Sequence, residues 1–486
     1  MADACNGPSP TPPVQRHPET GITAVIVGGG VGGIMTALEC WRKGIQVRIF
    51  ERMVVLLISI YHAGDFFSIG PSACKVFEHW PAMKEENEAT SYDFWLSYHK
   101  QTGEHIYGPA PLAIVTTNEA GETTTNTIRI HRHLRSKFQN ILLRQLAATG
   151  MVVEYNHRAV RYHETDDKAN VEFDNGVRVE ADLVIAADGV GTKSFEVVTG
   201  KELRARSSGY AIYRTAYPVE FAVADPDVDR RFAILPNGQS PAEMWVGPDM
   251  HLFISRTEDT FSWSVTHKDT ADSAETWYGT HSKCTPADVI QCLETSLGSC
   301  PDILQKVFNT TPEDRLVDWK LLWRDPQPQW TSPRGRVVQL GDAAHTFLPS
   351  SGNGATQAME DAMSLASCLE IGGQSNIPMA LRVHNLLRAE RVSCCQLLGF
   401  RNQAQRHHTN WDLVAENPRA IKESYDRWLW AHDAEQYAYE NYGKAFQHLI
   451  TGAPFTNTNA APGYVYRPWN IDELLAKQDA GIPIEV

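Results

Sequence analysis

The apolar positions of this chain follow two rhythms: short unbroken runs, and stretches in which apolar and polar residues alternate. Residues 22–27 form a compact β-branched run between polar flanks, which predicts a buried strand. A Gly-rich turn follows, then helical spacing over 34–43, then a second strand at 46–50 that ends on Glu51. Two later runs, 183–187 and 336–340, predict further buried strands, with a helix over 355–369 behind the second. Buried strands interleaved with helices imply a parallel sheet covered on both faces.

The rhythm changes over 201–330. Residues 210–217, 243–246, 251–255 and 261–267 read as strands with alternating aromatics, and a hairpin of 92–98 with 105–107 about Thr102-Gly103 is expected to join them in an antiparallel sheet. Alternation puts Ile212 and Arg214 on one face and Tyr213 on the other. Helical spacing returns over 379–405, and residues 426–446 read as the last long helix. The Pro- and Asn-rich tail from 451 reads as extended, and the polar, Pro-rich residues 1–20 as a disordered arm without a signal core. The apolar run 53–61 is too short to span a bilayer.

Composition narrows the class. With 42% hydrophobic and 21% charged residues, the 486-residue chain suits a soluble, cytoplasmic enzyme of several domains. A net charge of −14 argues against nucleic acid, which calls for a basic stripe. Nine scattered cysteines with no Cys-x-x-Cys pair point away from a disulfide framework and towards a reducing compartment. His131 and His133 lack carboxylate partners in sequence and make a poor metal site, so no metal is expected.

The turn at 28–33 carries the first chemistry. Gly28 allows a tight turn, Gly30 lets backbone approach a pyrophosphate, and Gly33 lets helix and strand pack closely. Phosphates then meet the free N–H groups of a helix start. Glu51, about 23 residues on, stands where an acid takes ribose hydroxyls. Such an acid disfavours a 2′-phosphate, which leaves FAD or NAD. A second Gly-x-Gly-x-x-Gly after a strand is absent, which disfavours reductases with a separate nucleotide domain.

Two later motifs follow the buried runs: Asp188-Gly189, and Gly341-Asp342-Ala343-Ala344-His345 leading through Leu348-Pro349 to Gly352-Asn353-Gly354. With the first turn, this set resembles the class A flavoprotein monooxygenases, the group of p-hydroxybenzoate and salicylate hydroxylases, and looks closest to its fungal secondary-metabolite branch. The resemblance runs over roughly 23–442 and implies FAD as cofactor. It implies Asp342 on the ribityl chain, and Pro349, Gly352, Asn353 and Gly354 at the flavin. It places Asp188, linked to NAD(P)H use, with Glu51 and Arg52 near the nucleotide, and Arg132 along the FAD phosphates. Thr346 and Asn353 depart from the residues usual there, and the stretch after Arg52 is unusually apolar, which bears on FAD contacts from Arg52 to Ser68.

The expected fold class is α/β: a discontinuous Rossmann-type FAD-binding domain (21–71, 128–200, 334–375), an antiparallel-sheet substrate domain (72–127, 201–333) and a helical C-terminal region with tail (376–486). The implied reaction uses NAD(P)H and O2 to insert one oxygen into an aromatic, phenol- or indole-like small molecule through a flavin hydroperoxide. Arg214, with Tyr213 beside it, is the catalytic candidate; the same pattern also suits a structural ion pair. An epoxidase, Baeyer–Villiger enzyme or oxidase on this scaffold, or a non-catalytic FAD-binding protein, remains open, as does a homodimer. Trp428-Leu429-Trp430 superficially resembles a flavin-halogenase signature but continues into Ala431-His432, and reads as a helix packing edge.

Overall fold

The computed structural model describes residues 14–54, 66–111, 113–117, 123–127, 129–269, 284–313, 315–422 and 426–486. The fold is α/β, with a Rossmann-type unit, a second sheet and a helical C-terminal part. The Rossmann-type sheet has five parallel strands in the order Val337–Gln339, Leu183–Ala186, Thr23–Val27, Gln46–Phe50 and Val153–Glu154. Leu183–Ala186, and Thr23–Val27 after its first residue, are apolar and buried because the sheet is covered on both faces there. The helices Val31–Arg42 and Gly354–Gly372 pack on one face; Phe50, Tyr162, Val171 and Phe173 fill the other.

The second sheet has seven strands, in the order Val317–Trp323, Arg206–Pro218, Thr260–Lys268, Met250–Arg256, Ser240–Gly247, Phe94–Lys100 and His105–Ala110. It is mixed rather than purely antiparallel: Ser240–Gly247 runs parallel to Phe94–Lys100, which lets the early hairpin dock onto strands made much later. One face, through Tyr213, Tyr217, Trp245, Leu252, Trp263 and Val265, packs against the helices Pro286–Leu297 and Asp302–Asn309. The opposite, inner face packs through Tyr210, Ile212 and Leu321 against Leu348 and Phe400. The 31-residue helix Ile377–His407 joins the layers, packing on Gly354–Gly372 and reaching strands of the second sheet with its far end.

Three expectations change. Residues 14–20 dock on the Rossmann-type unit, where His17 and Thr20 donate backbone hydrogen bonds to the carbonyls of Arg42 and Gly44 and Val14 packs on the core. The helix expected over 426–446 is broken into Arg427–Trp430 and Ala434–Thr451, because Asp433 leaves helical geometry to accept the N–H of Gln436 as an N-cap. The tail is not wholly extended: Ile471–Asp479 is a helix whose Ile471 and Leu474 bury beside Tyr210 and Trp323. Among the described residues, no helix is long and apolar enough to cross a membrane.

Candidate active site

Three strands of the parallel sheet deliver three turns to one edge. Since Thr23–Val27, Leu183–Ala186 and Val337–Gln339 are parallel neighbours, Gly28, Asp188 and Asp342 all emerge at their C-terminal ends, where such sheets bind ligands. Backbone bonds fix the alignment: Ala187 donates to Val27, and Leu340 to Ala186. The Gly189–Gly191 and Gly341–Ala343 turns touch.

Each glycine of the first turn is explained by its surroundings. Gly28 has φ +112°, and a Cβ there would stand 2.2 Å from the Ala187 carbonyl oxygen. A Cβ on Gly33 would stand 1.9 Å from the Gly28 carbonyl oxygen. Gly30 meets nothing within 4 Å; its exposed face is open for an approaching ligand at the start of the Val31–Arg42 helix. Glu51 closes the turn, its carboxylate accepting the N–H of Gly29 (2.7 Å) and of Met53 (2.9 Å). Arg52 carries its charge towards Asp188. The apolar segment beyond it, 55–65, lies outside the described residues, and so do its expected cofactor contacts.

The other two turns bring carboxyls, Asp188 partly buried and Asp342 exposed. Asp188 accepts the Tyr162 hydroxyl at 2.7 Å through Oδ2, while Oδ1 is buried with no hydrogen-bond partner among the described residues. Burial raises its pKa, against the pull of Thr192 and Tyr162. Asp342 is raised by burial too, although His345, Arg135 and Arg324 draw it down. The residue is nevertheless exposed to solvent. Exposed Pro349 opens a helical turn, Pro349–Ser351; Gly352 adopts φ +60°, and Asn353 precedes the helix starting at Gly354 without a side-chain hydrogen bond to its first turn. The free N–H groups of that helix start give the loop a positive end.

Local patterning did not reveal the supports behind these turns. Arg324, buried at the end of Val317–Trp323, donates to the carbonyls of Val190 (2.7 Å) and Leu203 (3.2 Å) and lies over the Phe195 ring. Burial lowers its pKa to about 10, against the charges of Asp188 and Asp342, so it bridges the second and third motifs electrostatically. Asp361 accepts the Gly341 N–H (3.1 Å) and His345 Nε2 (2.6 Å), and Arg388 donates to Asp361 (2.8 Å) and Glu360 (2.6 Å). Adjacent acids inside an apolar helix, and arginines three apart inside another, were the sequence signals for this network.

The remaining candidates separate. Arg214 is buried on the inner face of the second sheet, its guanidinium 4.2 Å from the Trp319 ring centroid. Tyr213 is on the far face, stacked on His267 at 4.3 Å, and does not join Arg214. Strand alternation forces this, so Tyr213 is withdrawn as a catalytic candidate. Arg132 lies over the rings of Phe94 and Phe253 at 5.4 and 5.9 Å, facing the second sheet, while Arg135 carries charge towards Asp342. Arg132 is on the strand His131–Leu134, which pairs with Phe66–Ile69.

Residues fitting an FAD are therefore present: a glycine cradle that a side chain would fill, a helix start, and an orphaned buried carboxylate oxygen at the next turn. Comparison with known proteins agrees. Residues 97–371 match the FAD binding domain family. The chain is 41% identical over 476 residues to the FAD-dependent monooxygenase fsr3 of Gibberella fujikuroi, covering 97% of this chain and 90% of that protein. It is 42% identical over 481 residues to the FAD-dependent monooxygenase dmxR9 of a Cryptosporiopsis species, with the same coverage. Among solved structures, CtdE in complex with FAD and a substrate superposes with a TM-score of 0.76 at 28% identity, over 88% of this chain and 99% of that one. With the family match spanning more than half its length and such relatives along nearly all of it, the chain belongs to the FAD-dependent monooxygenases.

Proposed function

We propose that this monooxygenase is a single-component enzyme that takes electrons from NADPH or NADH and inserts one oxygen atom of O2 into an aromatic, phenol-like small molecule of secondary metabolism. The observation that carries the reading is Arg214, a cation on the sheet face that packs, through Ile212, against Leu348 beside the Pro349–Gly354 loop. Gly28, Gly30, Gly33 and the helix start at Val31 would hold the FAD pyrophosphate; Glu51 would hold the ribose and Asp342 the ribityl chain. Asp188 and Arg52 would stand near the pyrophosphate, and Gly352, Asn353 and Gly354 would face the flavin ring. Bound and reduced, FAD supplies the activation of O2.

The chain's own residues do the rest. A guanidinium beside a phenol favours its ionised form, which raises electron density on the ring carbons that accept oxygen. Packing on Trp319 holds that guanidinium in one plane. The apolar inner face, with Leu96, Met244 and Phe253, excludes water from the reacting edge. Arg132, over Phe253, reads as a wall of the same pocket.

The test is the visible spectrum of the purified protein under anaerobic conditions, followed by turnover in labelled oxygen gas. Flavin bands should bleach on adding NADPH or NADH, faster with an aromatic ligand, and the product should carry one labelled atom. An oxidised product without label would make the enzyme an oxidase or dehydrogenase. A flavin that neither coenzyme bleaches would remove the reading altogether.

A further inference from the structure

On the inner face of the seven-stranded sheet, the partly exposed Phe253, Ser264 and Val317 share one row with the buried Arg214. Register sets Phe253 opposite Ser264, Ser264 opposite Arg214, and Arg214 opposite Val317, so these residues cross four neighbouring strands as one row. Phe253 and Ser264 are each the one partly exposed residue in the interior of a strand whose other interior positions are buried. Their sequence neighbours Leu252, Trp263 and Val265 pack on the helical side, which leaves Phe253 and Ser264 on the inner face with Arg214.

The row has a chemical order. Phe253 offers an aromatic wall, covered by Arg132; Arg214 offers a cation lying on Trp319. Between them stands the Ser264 hydroxyl, which makes no hydrogen bond among the described residues. Such a hydroxyl is satisfied by water while the pocket is open, and a ligand that displaces that water must replace its bond or lose affinity.

We propose that Ser264 is a second polar anchor for the substrate, and that the pocket selects planar aromatics with two oxygens on adjacent positions of one edge. An acidic hydroxyl meets Arg214, and a second hydroxyl or a carbonyl meets Ser264. Ser264 and Arg214 are direct cross-strand partners, their Cβ atoms about 4.5–5.5 Å apart, so both anchors serve one end of a planar ligand. The proposal rests on the reading of Arg214 as the residue that faces substrate.

Phenol and catechol, which differ by one hydroxyl on the adjacent carbon, are the probes. Their binding to the FAD-loaded enzyme is followed by flavin difference spectra. Wild type should bind catechol more tightly. Ser264→Ala should weaken catechol about 10-fold, the worth of one lost hydrogen bond, and leave phenol within about 2-fold. Ser264→Thr, which keeps the hydroxyl, should preserve the catechol preference, and Arg214→Ala should weaken both probes. Equal loss of both probes in Ser264→Ala, or loss of neither, overturns Ser264 as an anchor. Wild type that binds neither probe, yet bleaches with NADPH or NADH, overturns the substrate class. A flavin that responds to no coenzyme and no aromatic overturns the proposed function, and this inference falls with it.

Discussion

Gly28 and Gly30 sit two residues apart in one turn and carry different constraints. At Gly28 the backbone is in the left-handed half of conformational space and a methyl group would strike the Ala187 carbonyl, an atom of the neighbouring strand that cannot yield. Gly28→Ala should therefore destabilise the apoprotein by about 2 kcal/mol or more, read by urea unfolding without FAD. Gly30 has φ −76° and no neighbour within 4 Å, so Gly30→Ala should leave apoprotein stability within about 0.5 kcal/mol. If the pyrophosphate binds here as proposed, the methyl group would occupy space it needs, and the FAD dissociation constant should rise at least ~10-fold, read by flavin titration. If both variants lost the same property, the two glycines would share one role. The spacing alone identified both positions as a glycine turn opening a helix, because such a turn is written in consecutive residues. Tyr213 shows the opposite limit: alternation showed that it opposes Arg214, and only the second sheet's packing showed which face meets the loop at Leu348.

The helices Gly354–Gly372 and Ile377–His407 are joined by charge where most helix pairs use only apolar contacts. Burial opposes ionisation of Glu360, yet Arg391 and Arg388 hold its carboxyl well below the usual range; His345 and Arg388 do the same for Asp361. A carboxyl depressed in the folded state stabilises the fold above its unfolded pKa, about 4, and loses that contribution as pH falls through the folded value. Arg388→Ala removes the partner that the two buried carboxylates share, leaving Glu360 only Arg391 and Asp361 only His345 as charged partners, and should cost about 3 kcal/mol at neutral pH. In that variant protonation relieves the under-compensated charge, so the gap from wild type should narrow below about pH 4. Urea unfolding at several pH values measures this, and a gap independent of pH would reduce Arg388 to a packing role. The helices themselves were legible from apolar spacing, but the network was not, since its four charges come from segments about thirty residues apart. The tail helix Ile471–Asp479 escaped for a related reason: its short apolar stripe has meaning only against Tyr210 and Trp323.

At the scale of the molecule, three turns from distant parts of the chain meet on one sheet edge, so cofactor binding should tighten all three together. FAD at about 100 times its dissociation constant should add roughly 2.7 kcal/mol to the unfolding free energy. Amide exchange should slow at Gly28–Gly33, Asp188–Gly191 and Gly341–Gly354, and slowing confined to the first turn would mean that the motifs do not act as one site. The α/β class followed from interleaved strands and helices, and the three motifs from their residues. The parallel pairing of Ser240–Gly247 with Phe94–Lys100 did not, because register between segments far apart in sequence leaves no local trace. The strand order has a consequence for synthesis on the ribosome. Leu183–Ala186 is flanked by Val337–Gln339, which is made about 150 residues later. At 5–20 residues per second, the nascent chain carries that apolar strand with one edge open for roughly 8–30 s. Chaperone demand should therefore peak late in translation, and a chain released before the last strand emerges would offer its open edge to other chains.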